Sequence, residues 1–194
     1  MSDIGIALTY ARACAASKQI ICPISLHQVN LKVMAEAVAF SREAERSIRY
    51  DEIVPQIGAL VEGETDLVAN LANVAAVLKE VFGFFWVGFY LEKEGQLVLG
   101  PFQGPLACTR IDFDKGVCGH AYTTGETVVV PNVEEFPGHI ACASASKSEI
   151  VLPIKAANGE VVGVLDVDSD KLNDFSGIDA EGLKRIIERI EKTL

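Results

Sequence analysis

Three cysteines, Cys108, Cys118 and Cys142, share one window of this 194-residue chain, which closes on acids set into apolar segments: S-E-I-V-L-P-I at 148–154 and V-V-G-V-L-D-V-D at 161–168. Thiols beside misplaced carboxylates point to redox chemistry on a small cationic substrate. Asn158-Gly159 between the two segments is the strongest short signal for a β-hairpin. A two-residue loop there sets Glu149 opposite Asp168 and Val151 opposite Asp166. Asp166 and Asp168 are two apart and share a face. All three carboxylates then lie on one face of one hairpin, about 5–8 Å from their neighbours. The other face carries Val161, Gly163, Leu165 and Val167, which reads as core.

Opposed like charges are destabilising, and acids in an apolar strand pay for desolvation. A bound ammonium, a hard metal ion or a proton shared on one carboxylate would each offset that cost. The bland alternative is a solvent-facing acidic patch on a sheet edge. Cys108 and Cys142 sit in loops. Cys118 falls in the first turn of a short helix expected over 116–125, where the helix dipole favours a thiolate. His139 precedes Cys142 by three residues and would support a thiolate there if the loop turns tightly. There is no C-x-x-C pair, and His27, His120 and His139 show no metal-ligand spacing, so a structural zinc site is not expected. Nothing resembles a serine-hydrolase elbow or a phosphate-cradling loop.

The elements that must position these residues follow from periodicity. A short helix is expected over 52–61, with Pro55 in its first turn, the one place an α-helix tolerates proline well. A longer one follows G-E-T-D at 63–66, where Thr65 can cap and Asp66 suits the positive end. Leu67, Leu71, Val74, Ala75, Leu78 and Phe82 then recur at helical spacing, and Gly83 stops the helix. F-F-W-V-G-F-Y-L at 84–91 reads as a strand. Phe85, Val87, Phe89 and Leu91 take one face; Trp86, Gly88 and Tyr90 take the other and form an aromatic notch. Further strands are expected over 97–101, at the end of 104–111 and over 126–131, with a long loop at 132–146. An amphipathic helix at 176–194 turns Ala180, Leu183, Ile186, Ile187 and Ile190 inward, with Ser176 and Asp179 at capping-box spacing. Residues 31–49 look helical in composition. We read 1–46 as an N-terminal extension, including Cys14 and Cys22, and 47–194 as one domain of α+β class: a mostly antiparallel sheet with helices from both ends of the domain packed on it.

The totals exclude other functions. The net charge of −10 and the lack of a basic cluster argue against nucleic-acid binding. No apolar run has the length of a membrane span, so no membrane partner is expected. An odd cysteine count without a secretory signal points to a reducing, cytoplasmic setting; Arg12, Lys18 and Lys32 against Asp3 leave an organellar transit segment open.

Taken in order, G-E-T-D (63–66), W-V-G-F-Y (86–90), G-P-F-Q-G-P-L-A-C-T-R-I (100–111), G-V-C-G (116–119), H-I-A-C (139–142), S-E-I-V-L-P (148–153) and G-V-L-D-V-D-S (163–169) resemble the free methionine-(R)-sulfoxide reductases, which use a GAF-type domain. The resemblance covers residues from about 50 to 192. It implies that Cys142 attacks the sulfoxide sulfur and becomes a sulfenic acid, and that Cys108 resolves it as a disulfide. Cys118 would serve as a second resolving or relay thiol. It also implies that Glu149, Asp166 and Asp168 hold the substrate amino group and polarise the sulfoxide, that Trp86 and Tyr90 wall the methylthio end, and that backbone N–H groups near Gly116–Cys118 take the carboxylate. No bound cofactor or metal is expected; thioredoxin, recharged by NADPH, is the external reductant. A homodimer is compatible with the resemblance. Two other readings stay open on the residues alone: a GAF-type ligand-binding or redox-sensing module without turnover, and a metal-binding domain using the carboxylates.

Overall fold

The computed structural model describes residues 37–140 and 145–194. Cys14, Cys22, His27 and Cys142, and the helical expectation for 31–36, lie outside the described residues. The compact unit described runs from Ala37 to Leu194.

Six strands form one antiparallel sheet: β1 (Trp86–Lys93), β2 (Gln96–Gln103), β3 (Arg110–Ile111), β4 (Val128–Val130), β5 (Ser148–Lys155) and β6 (Val161–Ser169). Their order across the sheet is β3-β2-β1-β6-β5-β4, so the hairpin that carries the acids is central. Helices α1 (Arg46–Val61), α2 (Leu67–Phe82) and α4 (Gly177–Glu191) cover one face, and the short α3 (Gly116–Thr124) lies on the other. The first face holds the larger core, where Ile53, Ile57, Leu71, Leu78, Leu183 and Ile186 are fully buried against Val87, Phe89, Leu165 and Val167. The second is smaller, with Trp86, Tyr90, Leu97, Val117, Cys118, Val151 and Val164. The α+β expectation of a mostly antiparallel sheet with helices packed on it holds.

Side-chain chemistry sets the helix ends. Asp66, rather than Thr65, caps α2 by accepting from the Ala69 N–H at 2.9 Å. Gly83 ends α2 in the left-handed region at φ +68. Ser176 and Asp179 form the expected capping box on α4. Helix α1 is longer than 52–61 and carries Pro55 in its interior. The helix tolerates it because Pro55 and Asp51 both face water, so solvent can take up the Asp51 carbonyl that the missing N–H leaves free.

Residues 37–45 are not helical. The Gln56 amide brackets Ala39, accepting its N–H at 3.0 Å and donating to its carbonyl at 2.7 Å. The Glu52 carboxylate takes both the N–H and the hydroxyl of Ser41 at 2.7 Å. Side chains of α1 thus satisfy backbone groups that a helix would have used, and Val38 and Phe40 pack onto the core.

Strand alternation starts at Trp86, two residues later than expected. Phe84 therefore enters the larger core, while Phe85 packs with the Trp86 face instead of the Val87 face. Strand β2 runs beyond Pro101 because the register with β1 slips by one residue between Gly88 and Tyr90, and such a bulge accommodates a residue that cannot donate to the ladder.

Gly88 is needed where it stands. A Cβ there would lie 2.3 Å from the Phe102 Cβ and 2.6 Å from the Trp86 ring. The Trp86 and Phe102 rings stack at 5.4 Å over the position. Gly88→Ala is expected to cost about 1–3 kcal/mol through overpacking and to loosen Trp86; urea unfolding followed by the fluorescence of the single tryptophan would measure both.

Candidate active site

The acids stand where the hairpin arithmetic placed them. Glu149 pairs with Asp168, and Val151 with Asp166. On the far side of β6, Trp86 of β1 faces Asp168 and Gly88 faces Asp166. The turn itself is not the two-residue loop expected. The Gly159 N–H donates to the Ala156 carbonyl and the Ala156 N–H to the Glu160 carbonyl, with Gly159 left-handed at φ +86. That geometry alone would shift the register by one. A bulge between Ile154 and Lys155 on one strand and Gly163 and Val161 on the other leaves Val162 as the extra residue and restores it.

These acids do not form a surface patch. Glu149 and Asp166 are buried, at 6% and 7% exposure, and Asp168 is half-buried. They line a cavity with Ser146, His139, Ile140, Ile111 and the first turn of α3 from Lys115 to Cys118. One ligand atom each from Cys118, Glu149 and Asp166 lie within 4.8 Å of one another. Asp166 Oδ1 is buried and has no hydrogen-bond partner among the described residues.

Electrostatics follow from this crowding. Burial, then the charges of Asp166 and Asp168, push the Glu149 carboxyl well above its usual range. Burial and Asp168 do the same to Asp166, against hydrogen bonds from Cys118 and Glu149. Asp168 rises to about 6, chiefly through burial, with the Ser146 hydroxyl pulling the other way. The cluster therefore holds at least one proton near neutral pH and can present both an acid and a carboxylate.

Cys118 lies in the first turn of α3 as expected, but the dipole does not win. The thiol is 4% exposed, and burial followed by Asp166, Glu149 and Asp168 drives its pKa well above the ordinary thiol value. It is a thiol, not a thiolate, in this site. Lys115 gives α3 no side-chain cap. The first helical bond within α3 is made by the Gly119 N–H to the Lys115 carbonyl. The N–H groups of Gly116, Val117 and Cys118 are thus the helix's orphan donors, beside the cavity.

Trp86 and Tyr90 share the acids' face but are each 1% exposed. Their rings lie 6.0 Å apart. The Trp86 indole donates to the Pro105 carbonyl at 3.1 Å and the Tyr90 hydroxyl to the Cys108 carbonyl at 2.9 Å. They therefore tether the loop that carries Cys108. Cys108 itself is disulfide-bonded, whereas Cys118 is a free thiol. Ser146, which also lines the cavity, is a small hydroxyl in a loop and carries no periodic signal in the sequence. His139, marked there as a thiolate support, lines the cavity, and burial lowers its pKa, favouring the neutral imidazole.

Comparison with known proteins agrees with the architecture. The family model described as the GAF domain matches residues 62–194. The chain is 55% identical over 159 residues to "GAF domain-containing protein A" of Dictyostelium discoideum, covering 81% of this chain and 99% of that protein. It is 44% identical over 146 residues to the free methionine-R-sulfoxide reductase of Escherichia coli, covering 75% and 88%. Among solved structures, the free methionine-R-sulfoxide reductase of Neisseria meningitidis in complex with its substrate superposes with a TM-score of 0.78 at 53% identity, covering 81% of this chain and 94% of that one. No described helix is long and apolar enough to cross a membrane. By its sheet, its acid-lined cavity and these relatives, the chain belongs to the GAF-domain family of free methionine-R-sulfoxide reductases.

Proposed function

We propose that this protein reduces free L-methionine (R)-S-oxide to L-methionine. The observation that carries the reading is buried Glu149 and Asp166 beside half-buried Asp168 on one cavity wall, with Asp166 Oδ1 unpartnered among the described residues. A substrate ammonium supplies the missing partner and offsets the repulsion. The substrate carboxylate fits the orphan N–H groups of Gly116, Val117 and Cys118. Trp86 and Tyr90 form the aromatic wall behind the methylthio end.

The chemistry then runs on sulfur. The Cys142 thiolate attacks the sulfoxide sulfur, and a proton from the carboxylic acid of the cluster meets the departing oxygen. The oxygen is transferred to Cys142 as a sulfenic acid, and methionine leaves, reduced by two electrons. The Cys108 thiol attacks the Cys142 sulfur, water departs, and a disulfide forms. A dithiol protein of the thioredoxin class reduces that disulfide by exchange and becomes a disulfide itself, to be recharged from NADPH. Cys118, beside the acids, serves as the second resolving or relay thiol. A reducing, cytoplasmic setting suits this cycle.

The test is a thioredoxin-coupled NADPH assay with the R and S epimers of free methionine sulfoxide and with an oxidised peptide. Turnover is expected on the free R epimer alone. A peptide-bound sulfoxide lacks the ammonium, so equal rates on peptide and free substrate would remove the role given to the acids.

A further inference from the structure

The same cavity brings a thiol and two carboxylates closer together than the binding of an ammonium requires. Cys118 Sγ and one carboxylate oxygen each from Glu149 and Asp166 come within 4.8 Å of one another. All three residues are buried, all three line the cavity, and Asp166 Oδ1 has no hydrogen-bond partner among the described residues. His139 lines the same cavity. An ammonium satisfies the oxygens but has no use for sulfur. One thiolate with two carboxylates, and an imidazole or water in a fourth position, is a donor set for zinc and its soft-to-borderline neighbours; magnesium and calcium prefer oxygen alone.

We propose that Cys118, Glu149 and Asp166 form a binding site for one thiophilic divalent cation of the zinc type. Binding expels the thiol proton and the proton shared by the carboxyls to water, and no redox step is involved. The ion's charge reverses the electrostatics that keep Cys118 protonated in its absence. Such an ion occupies the place given above to the substrate ammonium, so it excludes substrate. That consequence rests on the reductase reading; the binding does not.

The experiment reads binding directly. Cobalt(II) is titrated into the reduced full-length protein, and the near-ultraviolet thiolate-to-cobalt band is recorded and then displaced with zinc. The proteins are wild type, Cys118→Ser, Glu149→Gln, and a variant combining Cys14→Ser, Cys22→Ser, Cys108→Ser and Cys142→Ser. Wild type and the four-cysteine variant are expected to show the band at one equivalent, and Cys118→Ser to lose it. Glu149→Gln should weaken binding by at least the roughly 10- to 100-fold seen when a ligand's supporting group is lost. Absence of the band in wild type, its survival in Cys118→Ser, or unchanged affinity in Glu149→Gln would overturn the site. Should the four-cysteine variant fail to fold, the two single variants still decide the matter.

Discussion

Asp168→Asn is expected to make the protein more stable at neutral pH and nearly inactive. The sign follows from linkage. Asp168 titrates near 3.9 in an unfolded chain and at about 6 in the fold, so the native state binds the extra proton between those values. Stability then falls as pH rises through that window and does not recover above it. The shift corresponds to about 3 kcal/mol at neutral pH, and the partial exposure of Asp168 trims that to roughly 2 kcal/mol. Asparagine removes this cost and also relieves Glu149 and Asp166, both of which Asp168 pushes upward. Denaturant melts of wild type and variant should therefore differ by about 2 kcal/mol at pH 7 and converge near pH 4. Activity should move the other way. An amide neither pairs with an ammonium as a carboxylate does nor shares the cluster's proton, and the loss in kcat/KM is expected to be about 10²- to 10⁴-fold. A variant that loses stability at pH 7 would show that the acids are held by partners within the protein, not kept for a ligand.

The thiols should separate just as widely. Cys142→Ser is expected to abolish even the first turnover, a loss of about 10³-fold or more, whereas Cys118→Ser should still release one equivalent of methionine per protein before any reductant is added. The physical ground is the state of Cys118. Attack on sulfur needs a thiolate, and burial among three acids keeps Cys118 protonated. A group so placed can sit beside the substrate and relay electrons later in the cycle, but it is a poor first nucleophile. Quench-flow measurement of methionine formed without reductant distinguishes the two variants. A full first turnover in Cys142→Ser would hand the attack to another thiol.

Much of this protein was legible in one dimension because its signals are local. A period of two and an Asn-Gly pair brought Glu149 opposite Asp168, and Ser176 with Asp179 announced the start of α4, since caps and hairpins are made by residues close in sequence. Yet the agreement at the acids hides two departures. The turn takes a different form from the two-residue loop, and a bulge at Val162 compensates for it. A bulge depends on how the strand bends against its neighbours and leaves no short-range signature.

Whether chemistry-bearing residues are dry, paired or tethered depends on contacts distant in sequence. The residue types, the shared face of Asp166 and Asp168 and the short helix with Cys118 in its first turn were all readable along the chain. That α3 buries Cys118 against those acids, turning an expected thiolate into a thiol of raised pKa, was not. Nor was the reach of Trp86 and Tyr90 across to the carbonyls of Pro105 and Cys108. Periodicity reports which face a side chain takes. Desolvation and hydrogen bonding depend on which distant element closes over that face, and here that element is the short helix α3 together with the loop that carries Cys108.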